Sequence, residues 1–391
     1  MVHIVDTRLL DRIRHYGAFN VDACFNCGNC TAVCPLSEDD ANFPRRLIRF
    51  GQVGMEDRLL ASRELWLCYY CGQCSQTCPR QADPGRYMAA ARRYAIARYD
   101  PTGISRVMSG SWVGTLAVFV LLSAFFVIWL LWHQGDMNGQ RMAFFDYIPG
   151  ELIHDTGIGV FVVVGLLMLA GVASVVRHVL QAARATGRPV QLPLAALPAA
   201  LGYAIRESLA QSRYRQCDDE TDEPEPWFLR PWAVHLAILW GFLGLLAATT
   251  WDFLFKPIGS HVSLLYPGRL IGTLAGLMAL YGLTVALWRR LTQPTKYYAD
   301  TRFADWFFLL LMLATVLTGF AAELFVYLPR PSAVAYVTTL VHVVLAIDLI
   351  VLLPVTKFAH ALYRPLALLL HRWVELGAQA GATAPAAPEK A

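Results

Sequence analysis

Six long apolar stretches fill nearly half of this 391-residue chain beyond its first hundred residues, and they restrict what it can fold into. They run from about Trp112 to Trp132, Ile153 to Val176, Trp232 to Phe255, Leu270 to Trp288, Phe303 to Leu328 and Val334 to Phe358. Each holds roughly 19 to 26 residues, enough to cross a hydrocarbon core of about 30 Å as a helix. A bilayer core offers no water to backbone N–H and C=O groups, so each segment must bond them internally, which favours helices. Composition agrees: hydrophobic residues make up 56% of the chain, above the roughly 45 to 50% of soluble domains. An all-α fold with six transmembrane helices is expected.

Arg and Lys are retained on the cytoplasmic side of a membrane. The stretch 177–230 carries Arg177, Arg184, Arg188, Arg206, Arg213, Arg215 and Arg230, and the next loop on that side carries Arg289, Arg290, Lys296 and Arg302. The opposite loops hold only scattered cations such as Arg141, Lys256, Arg269 and Arg330. An even number of spans then leaves both termini in the cytoplasm, in a multi-pass protein of the inner (cytoplasmic) membrane. The net charge of +4 is small and forms no continuous basic patch, so nucleic-acid binding is not expected. The first 105 residues are polar and show no secretory-signal pattern. Three regions follow: a cytoplasmic domain over 1–105, a transmembrane domain over 106–376 with its cytoplasmic loop at 177–230, and a tail over 377–391. The Ala, Pro and Gly content of that tail predicts disorder. Leu194 to Tyr214 reads as an amphipathic helix on the membrane face. Asp218 to Pro226 reads as a solvated linker or a docking segment.

Eight of the nine cysteines lie between Cys24 and Cys78, a density that in a reducing compartment argues for metal ligation over disulfides. Cys24-Phe-Asn-Cys27-Gly-Asn-Cys30-Thr-Ala-Val-Cys34-Pro35 recurs as Cys68-Tyr-Tyr-Cys71-Gly-Gln-Cys74-Ser-Gln-Thr-Cys78-Pro79. Three cysteines spaced by two residues wrap one [4Fe-4S] cubane, and the trailing Cys-Pro reaches the neighbouring cluster. Cys24, Cys27, Cys30 and Cys78 are therefore assigned to one cluster, and Cys68, Cys71, Cys74 and Cys34 to the other. Two complete repeats ending in Cys-Pro disfavour tetrahedral zinc. Gly28 and Gly72 suit backbone at φ > 0 close to a cluster. The residues between the repeats read as helical, giving a small α-helical ferredoxin. Arg45, Arg46 and Arg49 form either a solvated face or a docking surface. Cys217 stands apart from both repeats.

Histidines are costly in a bilayer, and a pair of imidazoles can supply both axial ligands of a b-type haem. His342 and His360 are 18 residues apart. On one continuous helix that is five turns, placing both on one face about 27 Å apart. Matching depth pairs His154 with His342 near the outer side and His235 with His360 near the inner side. His178 competes for the inner position and His261 for the outer one, whereas His133 and His371 read as peripheral. Glycines at 157, 159, 165, 171, 241 and 244 either leave room for a macrocycle or pack helices. Glu323 and Asp348 lie inside spans, where they would carry protons or make structural bonds.

The two Cys-Pro repeats, the Trp66-Leu-Cys68 lead-in and the appended spans resemble the membrane-bound C component of the quinone-interacting membrane-bound oxidoreductase complex. There, a ferredoxin like the C component of heterodisulfide reductase is fused to a cytochrome b like its E component. The membrane part is similar to the gamma subunit of respiratory nitrate reductase, in which two histidines 18 apart bind two haems. His342, His360 and His235 match that pattern, whereas the position ten after His235 is Leu245, where that family carries another histidine. The resemblance implies two [4Fe-4S] clusters, two haem b groups and quinone or menaquinone as substrate. It also implies cytoplasmic heterodisulfide-reductase-like flavin and iron-sulfur proteins as partners. The function so implied is that of the quinone-reactive electron-transfer subunit of a multisubunit oxidoreductase. Attachment to a formate- or hydrogen-oxidising module, and a haem-free anchor or redox sensor, are the competing readings.

Overall fold

A computed structural model of the chain describes residues 5–37, 42–137, 143–185, 191–219, 225–256, 262–263, 265–292, 301–328 and 332–383. Arg141, Arg188, Lys296, Arg330 and His261 lie outside the described residues. The helices are, in chain order, α1 Leu9–His15, α2 Asn29–Ala32, α3 Arg45–Gln52, α4 Glu56–Leu60, α5 Glu64–Leu67, α6 Gln73–Gln76 and α7 Pro84–Tyr99. They continue as α8 Ile104–Gly110, α9 Trp112–Leu131, α10 Phe144–Tyr147, α11 Gly150–Arg184, α12 Leu197–Leu209 and α13 Ser212–Asp219. The remainder are α14 Pro231–Phe255, α15 Pro267–Thr292, α16 Phe303–Tyr327, α17 Ala333–Val351 and α18 His360–Thr383. No strand occurs among the described residues, and the protein is all-α, as its apolar segments require.

The chain forms two compact units, both discontinuous in sequence. One comprises Met1–Gly103, Met168–Asp222 and Ala359–Ala391, and the other Ile104–Leu167 and Glu223–Phe358. The first unit owes its core to α1, α3, α4, α5 and α7. Leu9, Ile13, Leu47, Ile48, Leu59, Leu60, Trp66 and Tyr87 are buried there. Two phenols tie this core to backbone carbonyls: Tyr87 donates to Leu47 (2.8 Å) and Tyr99 to Leu60 (2.5 Å). Helix α7 starts where Pro84 supplies a preset φ and the Asp83 carboxylate caps Arg86 N–H (3.2 Å). The segment between the cysteine repeats is helical as the sequence indicates.

The same unit recruits α18 and the stretch after α11. Tyr363 of α18 lies 5.7 Å from the Trp66 ring, and the His371 imidazole donates to the Ala61 carbonyl (2.8 Å). The Trp373 indole donates to Pro193 (2.9 Å), and Arg63 pairs with Glu375. His371 is thus an internal fastener rather than a peripheral residue. The expected single helix over Leu194 to Tyr214 is divided into a 3-10 turn (Leu194–Ala196), α12 and α13, with Gln211 at φ +51 between the two helices. Its apolar face is used inside the protein, because α12 packs along α18 with Ala200 and Ala204 buried. The tail begins as helix: α18 continues through Thr383, in keeping with the helix propensity of Ala378 and Ala380.

The second unit holds most of the apolar helices. Among the described residues, six helices are long and apolar enough to cross a membrane, namely α9, α11, α14, α15, α16 and α17, and the protein is a multi-pass membrane protein. Leu121 and Leu166 remain 71% and 61% exposed, which suits side chains facing lipid. The sixth span is shorter than its apolarity indicates. Pro354 lacks an N–H and its ring crowds the carbonyl four residues back, so α17 stops at Val351 and two 3-10 turns, Leu353–Val355 and Lys357–Ala359, follow. His342 and His360 consequently sit on different helices, and the expected single helix bearing both is replaced by a break.

Helices α14 and α15 approach closely along small residues. A Cβ on Gly241 would lie 2.6 Å from the Ala279 nitrogen, and one on Gly244 2.6 Å from Ala275 Cβ. A Cβ on Gly282 would lie 2.9 Å from the Val234 carbonyl. Gly241 and Gly244 therefore serve helix packing, in the manner of small-residue seams in membranes. Gly171 lies against Tyr363, whereas Gly157, Gly159 and Gly165 face open space. Asp348, fully buried, accepts from the Ser123 hydroxyl (2.5 Å), a structural bond between α17 and α9.

Two outcomes are expected. Gly241→Val overpacks the seam and lowers stability by about 1 to 3 kcal/mol, measurable as a reduced thermal midpoint in detergent. Desolvation of the His371 ring, with Arg63 nearby, holds its pKa down to about 4. A base depressed in the folded state contributes stability above its unfolded pKa of about 6.5 and loses it as pH falls toward the folded value. Thermal melts should therefore weaken between pH 6.5 and 4, and His371→Gln should flatten that dependence.

Candidate redox centres

The two cysteine repeats adopt the same backbone. Asn26 and Tyr70, each just before the second cysteine of its repeat, share φ +61, and Gly28 and Gly72 stand at φ +93 and +80. One short helix follows each glycine, α2 and α6, and the closing cysteines return N–H bonds to Thr31 (3.3 Å) and Ser75 (3.4 Å). The repeats meet where the Asn29 amide donates to the Thr77 carbonyl (2.6 Å).

That meeting mixes the thiols. Cys24, Cys27 and Cys30 line one cavity together with Cys78, beside Arg45 and Arg80. Cys34 lies within electrostatic reach of Cys68 and Cys71, and Cys74 within reach of Cys68, Cys71, Cys34 and Cys30. None of the eight is in a disulfide. Burial pushes Cys30 up to about 11 and Cys34 up to about 12, so these sulfurs hold their protons unless a cation replaces them. Four soft sulfurs around one cavity, with the other four cysteines of the repeats grouped nearby, suit iron-sulfur clusters. Among the described residues, no three His, Cys, Asp or Glu groups converge on a single-ion position.

The surroundings of the two sets differ. At the first, Cys27 is exposed and Phe25 is 61% exposed. Arg45 turns its guanidinium toward Gly28, while Arg46 pairs with Glu64. At the second, Arg92 donates to the Cys68 carbonyl (2.5 Å), and Tyr70 N–H points at Cys68 Sγ (3.3 Å). Tyr69 is sandwiched between the Tyr214 ring (4.4 Å, 9°) and the Arg364 guanidinium (3.8 Å). Its hydroxyl donates to buried Glu207 (2.6 Å), which also accepts from Ser212 (2.9 Å) and pairs with Arg364 (3.5 Å). Burial pushes the Tyr69 hydroxyl up, so it stays protonated. Cys217 is 5% exposed, and the nearby Cys71 together with burial pushes its thiol up. Glu207, Tyr214, Cys217 and Arg364 escape a sequence reading because the α12–α13 and α18 segments that bring them lie more than a hundred residues beyond the second repeat.

The histidines of the membrane helices occupy unlike settings. His342 presents Nδ1 to the Thr315 carbonyl (3.0 Å), with Thr318 Oγ1 at 3.2 Å. A carbonyl only accepts, so Nδ1 carries the proton and Nε2 keeps a lone pair, the arrangement of a metal-binding imidazole. Gly319 makes room, since a Cβ there would lie 2.9 Å from the ring. His154 stacks flat on Phe253 (4.2 Å, 2°), with Nδ1 3.8 Å from Asp155. His133 bonds the Trp129 carbonyl (3.0 Å). His235 is half-buried near the start of α14, and His360 is the first residue of α18. His178 lines an open cleft with Asp57, Arg98 and Arg177.

Residues 20–82 match the family model of the 4Fe-4S dicluster domain, and residues 231–341 match that of the nitrate reductase gamma subunit. The chain joins a dicluster domain to a gamma-like domain. The gamma-like match includes His235 and stops one residue before His342. Over 63 residues the chain is 32% identical to the C component of the H(2):CoB-CoM heterodisulfide,ferredoxin reductase of Methanothermobacter thermautotrophicus, covering 16% of this chain and 34% of that protein. Over 48 residues it is 38% identical to the iron-sulfur C component of the CoB–CoM heterodisulfide reductase of Methanopyrus kandleri, covering 12% and 25%. The chain thus spans about a third or less of the curated relatives it matches. No solved structure matches. The dicluster domain supports two [4Fe-4S] clusters, and the gamma-like domain suggests haem b. The two domains and the heterodisulfide reductase relatives support a membrane electron-transfer role and suggest a component of an oxidoreductase.

The repeated positive φ has a direct consequence. Gly72→Ala forces a Cβ into left-handed backbone at a cost of about 1 to 2 kcal/mol, and should lower both iron content and the thermal midpoint of the purified protein.

Proposed function

We propose that this chain conducts electrons between quinone or menaquinone in the membrane and a cytoplasmic flavin and iron-sulfur protein of the heterodisulfide-reductase type. When bound, haem b and two [4Fe-4S] clusters supply the one-electron steps. Cys24, Cys27, Cys30 and Cys78 hold the first cluster, and Cys68, Cys71, Cys74 and Cys34 the second. His235 and His360 serve the inner haem, and His154 and His342 the outer one. The Thr315 carbonyl orients His342 for this task, and Gly319 leaves the ring its place. The dicluster domain and both termini lie in the cytoplasm, on the side of the Arg-rich loops.

The observation that carries this reading is the stack beside the second cysteine set. Cys68 is followed by Tyr69, the Tyr69 ring meets Arg364, and Arg364 lies one turn after His360 on α18. A compact through-residue route therefore runs from a thiol to the helix that begins with a candidate haem ligand. The exposed Cys27 and Phe25 leave the first set open to a soluble partner. Likeness to the C components of heterodisulfide reductases supports the nature of that partner.

Iron, acid-labile sulfide and haem measured on the purified complex, with reduced-minus-oxidised spectra, test the scheme directly. His360→Ala should remove one haem, keep the iron, and stop quinol from reducing the clusters; full haem in that variant contradicts the assignment. Cys34→Ser should damage the cluster held mainly by the second repeat. Damage confined to the other cluster rejects the crossed arrangement.

A further inference from the structure

We infer that the cleft between α11, α4 and α7 binds the ring of the quinone, with His178 holding one ring oxygen, so that the quinone reacts beside the dicluster domain. The inference rests on the quinone-linked reading proposed above and adds a site to it. The cleft has a volume of about 500 Å³, within the roughly 300 to 1,000 Å³ of small-molecule sites. One wall is a single face of α11, since Ala170, Ala173, Ser174, Arg177, His178 and Gln181 recur at helical intervals of three and four. The first half of that face is small and apolar. Ala170 and Ala173 are exposed within the apolar stretch that ends at Val176 and leave a slot for a flat ring entering from lipid. From Arg177 onward the face is polar, and Asp57 of α4 and Arg98 of α7 form the wall opposite.

The polar groups of the cleft select a quinone. His178 Nδ1 is buried and has no hydrogen-bond partner among the described residues. Such an atom is costly to leave unpaired, and a ligand oxygen relieves the cost. A neutral imidazole nitrogen either donates or accepts, which suits a carbonyl oxygen that becomes a hydroxyl on reduction. Arg98 is already paired with Glu56 (2.8 Å), and Asp57 balances Arg177 across the cleft, so little net charge is left for a phosphate headgroup. The cleft also adjoins the electron path. The His178 ring lies 6.0 Å from Tyr99, which is 5.2 Å from Tyr363 and stacks on Trp66 at 6.2 Å. Tyr363 follows His360 by three residues and Trp66 precedes Cys68 by two. Ring contacts therefore lead from the cleft both to the helix of the proposed inner haem ligand and to the second cysteine set. Reduction of the quinone takes two electrons, one at a time, from that path and two protons from water at the cleft mouth, where Asp57 is exposed, and converts both carbonyls to hydroxyls. Oxidation of the quinol returns the same electrons and protons.

The test uses the full-length chain in its purified complex, held in phosphatidylcholine nanodiscs. Irradiation with an azido-naphthoquinone, followed by peptide mapping by mass spectrometry, should label α11 between Ala170 and Gln181 or the wall facing it, and unlabelled menaquinone should suppress the labelling. His178→Ala should keep iron and haem at the level of the unaltered protein and raise the KM for a soluble naphthoquinol about five- to tenfold, the size of one lost hydrogen bond. His178→Gln, which also bonds an oxygen, should recover part of that loss, and Ala173→Phe, which fills the slot, should abolish the labelling. Labelling confined to other helices overturns the inference, as does loss of haem in the His178 variants or an unchanged KM in both His178→Ala and Ala173→Phe. Labelling suppressed by phosphatidylglycerol and not by menaquinone makes the cleft a lipid site and overturns it too. If quinol fails to reduce the clusters even in the unaltered complex, the quinone-linked reading itself falls, a result separate from these.

Discussion

Each triplet of cysteines has a sulfur of the other repeat beside it, and this meeting of the two loops shapes the architecture around it. Cys78 joins Cys24, Cys27 and Cys30, while Cys34 joins the second triplet. The two loops must therefore be held at fixed separation, which explains the direct bond from Asn29 to Thr77 and the core of Leu47, Leu60, Trp66 and Tyr87 beneath them. Displacing either loop disturbs both sulfur sets at once. Positive φ at matched positions lets each loop turn tightly enough to bring three sulfurs to one cavity.

Backbone symmetry does not extend to the surroundings. The first set faces solvent with Phe25 and Cys27, while the second is enclosed by Glu207, Tyr214, Cys217 and Arg364 from helices far along the chain. Aromatic and ionic contacts there are interdependent, since Arg364 both stacks on Tyr69 and pairs with Glu207. The two loops are thus alike in backbone and unlike in the side chains around them.

Much of this was legible in the residues. The six apolar runs correspond to six helices, and two-residue cysteine spacings with closing Cys-Pro pairs identify the dicluster domain, because both signals are local and periodic. Where the reading failed, the cause was not local. Apolarity continues through Pro354, so hydropathy extends a helix that a missing N–H terminates at Val351, and the 18-residue histidine spacing lost its helical meaning. The amphipathic face of α12 pointed to a surface but not to α18 as the one it covers. Nothing near Cys217 in sequence signals a sulfur neighbour, and the carbonyl that fixes the His342 tautomer comes from α16.

The compact unit that contains the cysteine repeats also includes Met168–Asp222 and Ala359–Ala391. A ribosome delivers those pieces in order, with six hydrophobic helices emerging before the last of them. Glu207 can meet Arg364, and Ala61 His371, only after all six apolar helices have been synthesised. In chain order the cysteine loops come first and the helix that encloses the second of them comes after the spans.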